Sequence, residues 1–427
     1  MMSTPLLFLI AKEIRLTSWA SKPRVASSMT MTTSDSLFYL RFPREDCEAL
    51  LAEGIEDFYE VKTDGRINWQ ELKEWMADRK DWIFGWIGYD ARRSLEHFEQ
   101  ENLESSQASQ LFLFVPKNLF KMEGSHFEVV KGEWREEFEY WLSMEPTETS
   151  ANIRLTPRFT FEEYQAHFTQ LQRQIALGNI YEVNYCVPFQ AKAQLTDAPA
   201  IWKRIYSHTE APFSAYARYN AHHVLCASPE RYLRREGNRV ISQPIKGTIR
   251  RGDSKEEDER LREHLYQSKK ERSENVMIVD LVRNDLSRCA NRSSVKVDEL
   301  FGAHTFKTVH HLISTVSCEV EPSVSWVDLI QATFPMGSMT GAPKVSAMQL
   351  IGRHELTERG IYSGSIGYIE PSGDFDFNVV IRSVQYDGDA AMVSCHVGGA
   401  LTAQSNAEDE YQECLLKAKA VLSALLG

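Results

Sequence analysis

Lys246 is the residue whose setting most strongly suggests chemistry. It lies in the segment Gln-Pro-Ile-Lys-Gly-Thr, residues 243–248. The apolar Val240 and Ile241 before it indicate the end of a buried strand, and Gly247 permits a turn after it. This pattern places Lys246 at a corner between strand and loop, where proteins often present functional groups. A surface lysine in an ordinary turn is the alternative.

Two acidic pairs have the spacing that brings side chains together on a helix. Glu271 and Glu274 fall in a long charged segment, and Glu410 and Glu413 fall in the last predicted helix. Residues three apart are neighbours on a helix face, and a carboxylate on an apolar stripe needs a cation or a donor. A solvated helix edge is the alternative. Together the two pairs form a plausible set of oxygen ligands for Mg²⁺.

Other groups lie where a small anion could be held. Arg382 ends an apolar run, and a buried arginine usually pairs with a carboxylate. The glycines at 398 and 399 allow a ligand to approach the backbone closely. The segment Gly-Ser-Met-Thr-Gly-Ala-Pro-Lys, residues 337–344, leads into a helix start that favours an anion. Its glycine and lysine spacing is not that of a Walker loop.

The hydrophobic pattern predicts the elements that must position these groups. Thr160-Phe-Glu-Glu has the form of a capping box, and the helix that it begins ends at Gly178. One strand carries His310 and His311, and its alternation places only one of them on the inner face. The acidic stretch 132–158 is predicted to be a linker or flap. Strands are predicted at 37–42, 81–90, 111–115 (ended by Pro116), 180–187, 222–233, 239–245, 306–320, 360–368, 377–383 and 392–396, and helices at 160–178, 254–286, 344–351 and 407–425.

The composition excludes several classes of function. The 427 residues carry a net charge of −12, which disfavours nucleic acid as a partner. The apolar run 5–11 is too short to span a membrane. Seven scattered cysteines without a Cys-x-x-Cys pair indicate neither a disulfide framework nor a zinc site, and a reducing cytoplasm fits them best.

Six ordered motifs resemble those of the chorismate-utilising enzymes, and most closely those of the aminodeoxychorismate synthase branch. The resemblance covers about residues 160–425 and is weak before them. The motifs are Pro-Ile-Lys-Gly-Thr (244–248), Ser-Glu-Asn-Val-Met-Ile-Val-Asp-Leu-Val-Arg-Asn-Asp (273–285), Gly-Ser-Met-Thr-Gly-Ala-Pro-Lys (337–344), Arg-Gly-Ile-Tyr-Ser-Gly (359–364), Val-Ile-Arg-Ser (380–383) and Glu-Tyr-Gln-Glu-Cys-Leu-Leu-Lys-Ala (410–418).

The resemblance implies an α+β fold in which two packed β-sheets lie between outer helices, in four layers α/β/β/α. Residues 1–36 are then expected to be an unstructured extension or a misassigned start. Residues 37–150 would form the first part of the sandwich, and 151–427 the chorismate-binding catalytic region.

The resemblance also implies roles for the candidate residues. Glu274 and Glu413 would coordinate Mg²⁺, which would bind the ring carboxylate of chorismate, and Glu271 and Glu410 would support its waters. Further contacts to the substrate would come from His311 (rather than His310), from Ser338 and Thr340 along the ring, and from Tyr362, Arg382, Gly398 and Gly399 at the pyruvyl carboxylate.

Lysine at position 246 resembles the aminodeoxychorismate synthases, since anthranilate and isochorismate synthases typically have alanine there. The implied mechanism is covalent: Lys246 adds at carbon 2 as the carbon 4 hydroxyl leaves, and ammonia then adds at carbon 4 and expels the lysine. Glu230 matches the acid/base for these proton transfers. A lysine must lose its proton to attack, and burial is expected to lower the pKa of Lys246.

Two departures from the family pattern, Ala400 and Gln404, lie near the carboxylate site. None of the seven cysteines has a nucleophile-elbow context, so ammonia is expected from a separate glutamine amidotransferase subunit. Three alternatives remain open. They are anthranilate synthase component I, with different regiochemistry and loss of pyruvate; isochorismate synthase, with water in place of ammonia; and a non-catalytic regulatory homologue, which would be expected to lose Lys246 or a magnesium-binding glutamate.

Overall fold

The computed structural model describes residues 36–98, 103–106, 108–124, 126–134 and 153–426. One compact unit spans residues 34–427. The predicted N-terminal extension therefore lies outside the described residues except for its last residue, and so does most of the predicted linker or flap at 132–158. No helix among the described residues is long and apolar enough to cross a membrane.

Eight α-helices and nineteen strands are described. The helices are α1 (Trp69–Ala77), α2 (Phe161–Ala176), α3 (Ala198–Thr209), α4 (Lys255–Gln267), α5 (Lys269–Ser287), α6 (Trp326–Thr333), α7 (Lys344–His354) and α8 (Ala407–Leu426). The strands are β1 (Leu37–Arg41), β2 (Ala49–Val61), β3 (Ile83–Ile87), β4 (Leu111–Glu123), β5 (His126–Lys131), β6 (Thr156–Pro157), β7 (Glu182–Lys192), β8 (Phe213–Tyr219), β9 (His222–Ser228), β10 (Arg231–Glu236), β11 (Arg239–Gln243), β12 (Ile245–Arg250), β13 (Lys296–Thr305), β14 (Val309–Glu319), β15 (Gly341–Ala342), β16 (Ser365–Ile369), β17 (Phe375–Asn378), β18 (Ser383–Asp387) and β19 (Met392–Leu401).

The strands form one continuous array of antiparallel pairs. Following the hydrogen bonds, it runs β7, β19, β18, β9, β8, β1, β2, β4, β3, β16, β17, β10, β11 and β14. β6 and β15 add to β7, β5 adds to β4, and β12 and β13 add to β14. Strands distant in sequence are neighbours in this array, so the two ends of the described chain contribute to one structure.

Three apolar clusters show how the array is layered. An aromatic cluster that includes Phe38, Trp86 and Phe112 lies between the two halves of the array. A second cluster packs α2, α3 and α8 against the half that contains β7 and β19. A third packs α1, α5 and α6 against the half that contains β11 and β14. The predicted α+β fold with four layers is confirmed, and the two predicted sheets are halves of one hydrogen-bonded array.

The strand prediction is wrong at two prolines. The prediction that Pro116 ends a strand is wrong, because β4 continues to Glu123 and Pro116 pairs with Ile55 beside a bulge in β2. A proline is tolerated where a bulge already interrupts the hydrogen-bond ladder. The single strand predicted at 222–233 is divided into β9 and β10 by Pro229 and Glu230.

The long charged helix predicted at 254–286 is two helices. Ser268 lies between them with an extended backbone, and its side chain accepts a hydrogen bond from the N–H of Glu271. It therefore ends α4 and caps α5. As a result, Glu271 and Glu274 lie in the first two turns of α5 rather than in the middle of a long helix.

Alternation along β14 was predicted to place only one of His310 and His311 on the inner face. Both are nevertheless buried, 1% and 5% exposed, because α4 covers the second face of β14. His310 Nε2 lies 2.9 Å from a carboxylate oxygen of Asp258 in α4. His311 Nδ1 lies 2.8 Å from Oγ1 of Thr248 in the neighbouring strand.

Candidate active site

Lys246 lies inside a strand and not, as predicted, at a corner between strand and loop. It is the second residue of β12, where the register with β14 shifts between Ile245 and Thr248. Gly247 has a φ of +95°, and a Cβ there would lie 3.1 Å from Oε2 of Glu271. The amide of Asn275 donates to the Lys246 carbonyl at 3.5 Å. The bulge lets α5 pack close to the backbone while the lysine side chain is only 12% exposed.

The amine of Lys246 forms a buried ion pair with Glu182. Its Nζ donates to Oε1 of Glu182 at 2.7 Å, and the glutamate side chain is 1% exposed. Burial alone lowers the pKa of Lys246, but the charges of Glu182, Glu274 and Glu230 outweigh it, so that the net shift is upward. The predicted net lowering of this pKa is therefore wrong, because the sequence prediction did not include Glu182.

Glu182 is held in place by the glycine-rich segment. Gly341 pairs with Val183 of β7, and its φ is +147°. A Cβ on Gly341 would lie 2.2 Å from the carbonyl oxygen of Glu182. Only glycine permits this approach, which fixes the turn before α7 against the strand that carries the carboxylate.

Glu230 is a second buried carboxylate, at the junction of β9 and β10. Ser338 Oγ donates to its Oε1 at 2.7 Å. Burial raises the pKa of Glu230 to about 7, although Ser338 and Lys246 oppose the shift. The turn that contains Ser338 is anchored to β7, because Asn184 donates to the Ser338 carbonyl at 3.0 Å. Thr340 is buried, and its hydroxyl donates to carbonyls of the same turn.

Arg359 ties the parts of this framework together. Its guanidinium donates to the carbonyls of Met339 and Asn184 at 2.8 and 2.9 Å. It also pairs with Glu355 at 2.7 Å and is 1% exposed. All these partners are protein groups, so the structure assigns Arg359 to support of the turn and of β7.

Arg382 differs from this buried arginine. It follows β17 and has a left-handed backbone, with a φ of +52°, so the strand predicted at 377–383 ends early. In the part of the chain that the structure describes, its guanidinium has no hydrogen bond and no ion pair. Burial lowers the pKa of Arg382. A half-buried cation without a carboxylate partner suits an anionic ligand.

Tyr362 and His311 lie beside this cation. Tyr362 is 4% exposed and stacks on His396 with ring centroids 5.4 Å apart. Both side chains lie within electrostatic reach of the Arg382 guanidinium. Burial and then Arg382 lower the pKa of His311 to about 4, so this ring is neutral at neutral pH.

The two acidic pairs face a common region. Burial raises the pKa of Glu274 to about 7, with Lys246 opposing and Glu271 adding to the shift. Glu413 pairs with Lys417 at 2.7 Å, and Glu410 accepts from Ser405 at 2.8 Å.

One set of interactions connects α5 with α8, and two contacts connect α8 with β19. Lys270 interacts with Glu274, Glu410 and Glu413. A Cβ on Gly399 would lie 2.9 Å from Oε2 of Glu410, and Lys417 donates to the Gly398 carbonyl at 2.9 Å. Both glycines therefore lie where α8 approaches the sheet.

The donor set fits magnesium, although no three acidic, histidine or cysteine side chains of the described residues are close enough to hold a metal as they stand. Carboxylate oxygens are the ligands that Mg²⁺ prefers. Burial, with smaller contributions from the charges of Glu271 and Glu182, raises the pKa of Glu274. A divalent cation would offset this negative charge. Glu413 would exchange its contact with Lys417 for such an ion.

Four residues of the site were not predicted from the sequence: Glu182, Asn184, Asn275 and Arg359. Glu182 lies in an apolar strand, which is the same signal that identified Arg382, and it could have been found that way. The other three act through contacts to backbone groups of distant segments, and no local pattern indicates such contacts.

The comparisons with known proteins agree with this fold. The chorismate binding enzyme family matches residues 40–423. Aminodeoxychorismate synthase component 1 of Salmonella typhimurium is 39% identical over 289 residues, which cover 67% of this chain and 63% of that protein. The match therefore spans just under two thirds of that relative's length.

Two further matches cover more of both chains. Aminodeoxychorismate synthase component 1 of Bacillus subtilis is 31% identical over 374 residues, 83% of this chain and 79% of that protein. The crystal structure of anthranilate synthase component I from Streptococcus pneumoniae aligns with a TM-score of 0.73 at 22% identity and covers 95% of each chain. At that identity the structural match shows the fold alone.

Proposed function

The chain belongs to the chorismate-binding enzymes, and on this premise we propose that it aminates chorismate to 4-amino-4-deoxychorismate, toward 4-aminobenzoate and folate. The observation that carries the proposal is the buried amine of Lys246, paired with Glu182 and within electrostatic reach of Glu230. Relatives named aminodeoxychorismate synthase component 1 support the same reaction.

Substrate binding uses Arg382 and the two acidic pairs. Arg382, with Tyr362 beside it, holds the pyruvyl carboxylate of chorismate. Glu274 and Glu413 would hold Mg²⁺, with Glu271 and Glu410 supporting its waters. When bound, the ion would neutralise the ring carboxylate and draw charge from the ring.

Lys246 acts as the nucleophile once it has lost a proton, because only the free amine has a lone pair. It bonds to carbon 2 as both ring double bonds shift and the bond from carbon 4 to oxygen breaks. Glu230, partly protonated near neutral pH, donates its proton to that oxygen, which leaves as water. The adduct nitrogen returns a proton to Glu230. Ammonia then bonds to carbon 4, both double bonds shift back, and the bond from carbon 2 to Lys246 breaks.

The ammonia is delivered by a glutamine amidotransferase. The name "component 1" of the relatives supports a partner component. The cysteines give the same indication, since all seven are free, six are buried, and none has a nucleophile-elbow context.

Product identification tests the proposal. Purified protein is incubated with chorismate, Mg²⁺ and ammonium salt, and products are separated and identified by mass and fluorescence. We expect 4-amino-4-deoxychorismate, and its absence from the Lys246→Ala variant. Anthranilate with pyruvate would instead assign anthranilate synthesis, isochorismate would assign hydration, and unchanged chorismate would indicate a non-catalytic protein.

A further inference from the structure

Glu182 carries a buried acceptor that no group in the described residues satisfies. Its Oε1 accepts from Lys246 at 2.7 Å, whereas its Oε2 is buried and has no hydrogen-bond partner. Buried carboxylate oxygens almost always accept a hydrogen bond, because a buried acceptor without one is not compensated for the hydration that it has lost. The second oxygen is therefore available to a donor that binds during the reaction.

The neighbouring donors are already used. The Asn184 amide donates to the Ser338 carbonyl, and the Ser338 hydroxyl donates to Glu230. The ligand that meets Oε2 must itself bring N–H or O–H groups. Chorismate carries two carboxylates, which the negative Glu182 repels, and its hydroxyl at carbon 4 is assigned to Glu230. Ammonia, in contrast, offers only N–H donors.

We propose that Oε2 of Glu182 binds the incoming ammonia beside Lys246, and that this carboxylate passes protons between the two amines. The inference rests on the proposed function and names the place of its second substrate. Glu182 takes a proton from Lys246 before the first step. In the second step the bond from carbon 4 to the new nitrogen forms and the bond from carbon 2 to Nζ breaks. Glu182 gives its proton to the departing lysine amine and receives one from the incoming nitrogen.

This assignment separates the work of the two buried carboxylates. Glu230 is bound by Ser338 and serves the leaving oxygen, whereas Glu182 contacts the reacting amine directly. Glu230 then protonates the leaving oxygen, whereas Glu182 exchanges protons with the two amines, and the ammonia lies on the lysine side of the ring.

The test measures adduct formation and adduct breakdown separately. Wild-type protein and Glu182→Gln are first given chorismate without ammonia, and the adduct on Lys246 is quantified by mass. Ammonium chloride is then added over a concentration series, and adduct breakdown is timed. Glutamine has the same shape but cannot carry the proton. We expect Glu182→Gln to form the adduct, because the substitution also removes the strongest of the charges that keep Lys246 protonated. We expect ammonia-dependent breakdown of the adduct to slow on the order of 10²-fold. The KM for chorismate should change less than about threefold.

The outcomes decide the assignment. Breakdown of the Glu182→Gln adduct at the wild-type rate at every ammonium concentration would overturn the proposal and leave Oε2 with a water only. Failure of folded Glu182→Gln to form the adduct would also overturn it, since Glu182 would then serve the first step alone. If Glu182→Gln does not fold, Glu182→Asp is measured, and wild-type breakdown in that shortened variant would contradict the proposal. Absence of any adduct in wild-type protein would instead contradict the proposed function.

Discussion

At the scale of single residues, Lys246 is held as a cation in the ligand-free protein. Glu182, Glu274 and Glu230 raise its pKa, so the resting amine is protonated and unreactive. In the proposed reaction, chorismate binding would change this balance. Proton transfer to Glu182 at 2.7 Å and neutralisation of Glu274 by a metal ion would both remove negative charge from around the lysine. The nucleophile would thereby be activated only when the site is filled.

The pH dependence of the first step tests the role of Glu230. Burial raises the pKa of this carboxyl to about 7, and its protonated form is the acid that donates to the leaving hydroxyl. As pH rises above about 7 the acid is lost, so adduct formation should slow if Glu230 supplies the proton. The rate of adduct formation in a single turnover, measured from pH 6 to 9, shows whether this decrease occurs. Glu230→Gln should lose on the order of 10²- to 10⁴-fold in rate. A flat profile together with an active Glu230→Gln would contradict the role.

Lys246 and Arg382 could be singled out from the sequence, because each breaks a local pattern: a lysine before a glycine and an arginine in an apolar run. Glu230 was implied only by the resemblance to the family. The upward shift of the Lys246 pKa could not be predicted from the sequence. It depends on Glu182, which is 64 residues away in sequence and reaches the lysine only through the fold.

At the scale of elements, the proposed metal site depends on the positions of α5 and α8, which carry the two acidic pairs. The Ser268 cap places Glu271 and Glu274 at the start of α5, and Gly399 lets Glu410 of α8 approach β19. The capping box at Thr160 was predicted and is confirmed. The break at Ser268 was not predicted, because no proline or glycine marks it and both flanking segments favour helix.

Magnesium binding should depend on these carboxylates and on pH. Glu274→Gln and Glu413→Gln should abolish turnover while the protein still folds, and Glu408→Gln, exposed on the first turn of α8, is the matched control. Mg²⁺ should raise the Tm of wild-type protein at pH 8. The rise should shrink at pH 6, because protons compete for Glu274, whose pKa is about 7. Full activity of either variant in excess EDTA would contradict the site.

Gly341 should tolerate no side chain. Gly341→Ala places a Cβ 2.2 Å from the Glu182 carbonyl at a φ of +147°, so β7 and the turn must separate. Gly373→Ala is the control, since its φ is +89° but nothing lies within 4 Å of the added Cβ. The control should lose about 1–3 kcal/mol from backbone strain, and Gly341→Ala should lose more, together with its activity. Thermal unfolding and assay of both variants measure the difference, and equal losses would show that the contact with β7 is unimportant.

At the scale of the whole molecule, the site exists because distant strands meet. Glu182 is on β7, Glu230 at the start of β10, Lys246 on β12, and the array joins them through strands from both ends of the described chain. The family motifs gave the four layers, but periodicity alone could not give the pairing. Register between β1 and β8 or β3 and β16 depends on contacts far apart in sequence, and local patterns do not record them.

The nitrogen source depends on whether a separate amidotransferase assembles with this chain. If a separate amidotransferase delivers ammonia, the purified chain should use ammonium salt and ignore glutamine. Turnover should increase as pH rises and the free-ammonia fraction grows, up to the point where Glu230 limits the first step. Assays with each nitrogen source, at equal nitrogen and with Lys246→Ala as the blank, measure this directly. Glutamine-dependent turnover by the purified chain would contradict the expectation.

The most direct test of the central claim is mass analysis of the protein after incubation with chorismate and Mg²⁺ in the absence of ammonia. If Lys246 is the nucleophile, we expect a ring adduct that maps to the peptide containing Lys246 and disappears when ammonium is added. Lys246→Ala should lose the adduct, and Lys246→Arg should be inactive, because a guanidinium stays protonated and cannot attack. No adduct under any condition, combined with substantial turnover by Lys246→Arg, would contradict a covalent lysine and reduce Lys246 to an electrostatic partner of the substrate.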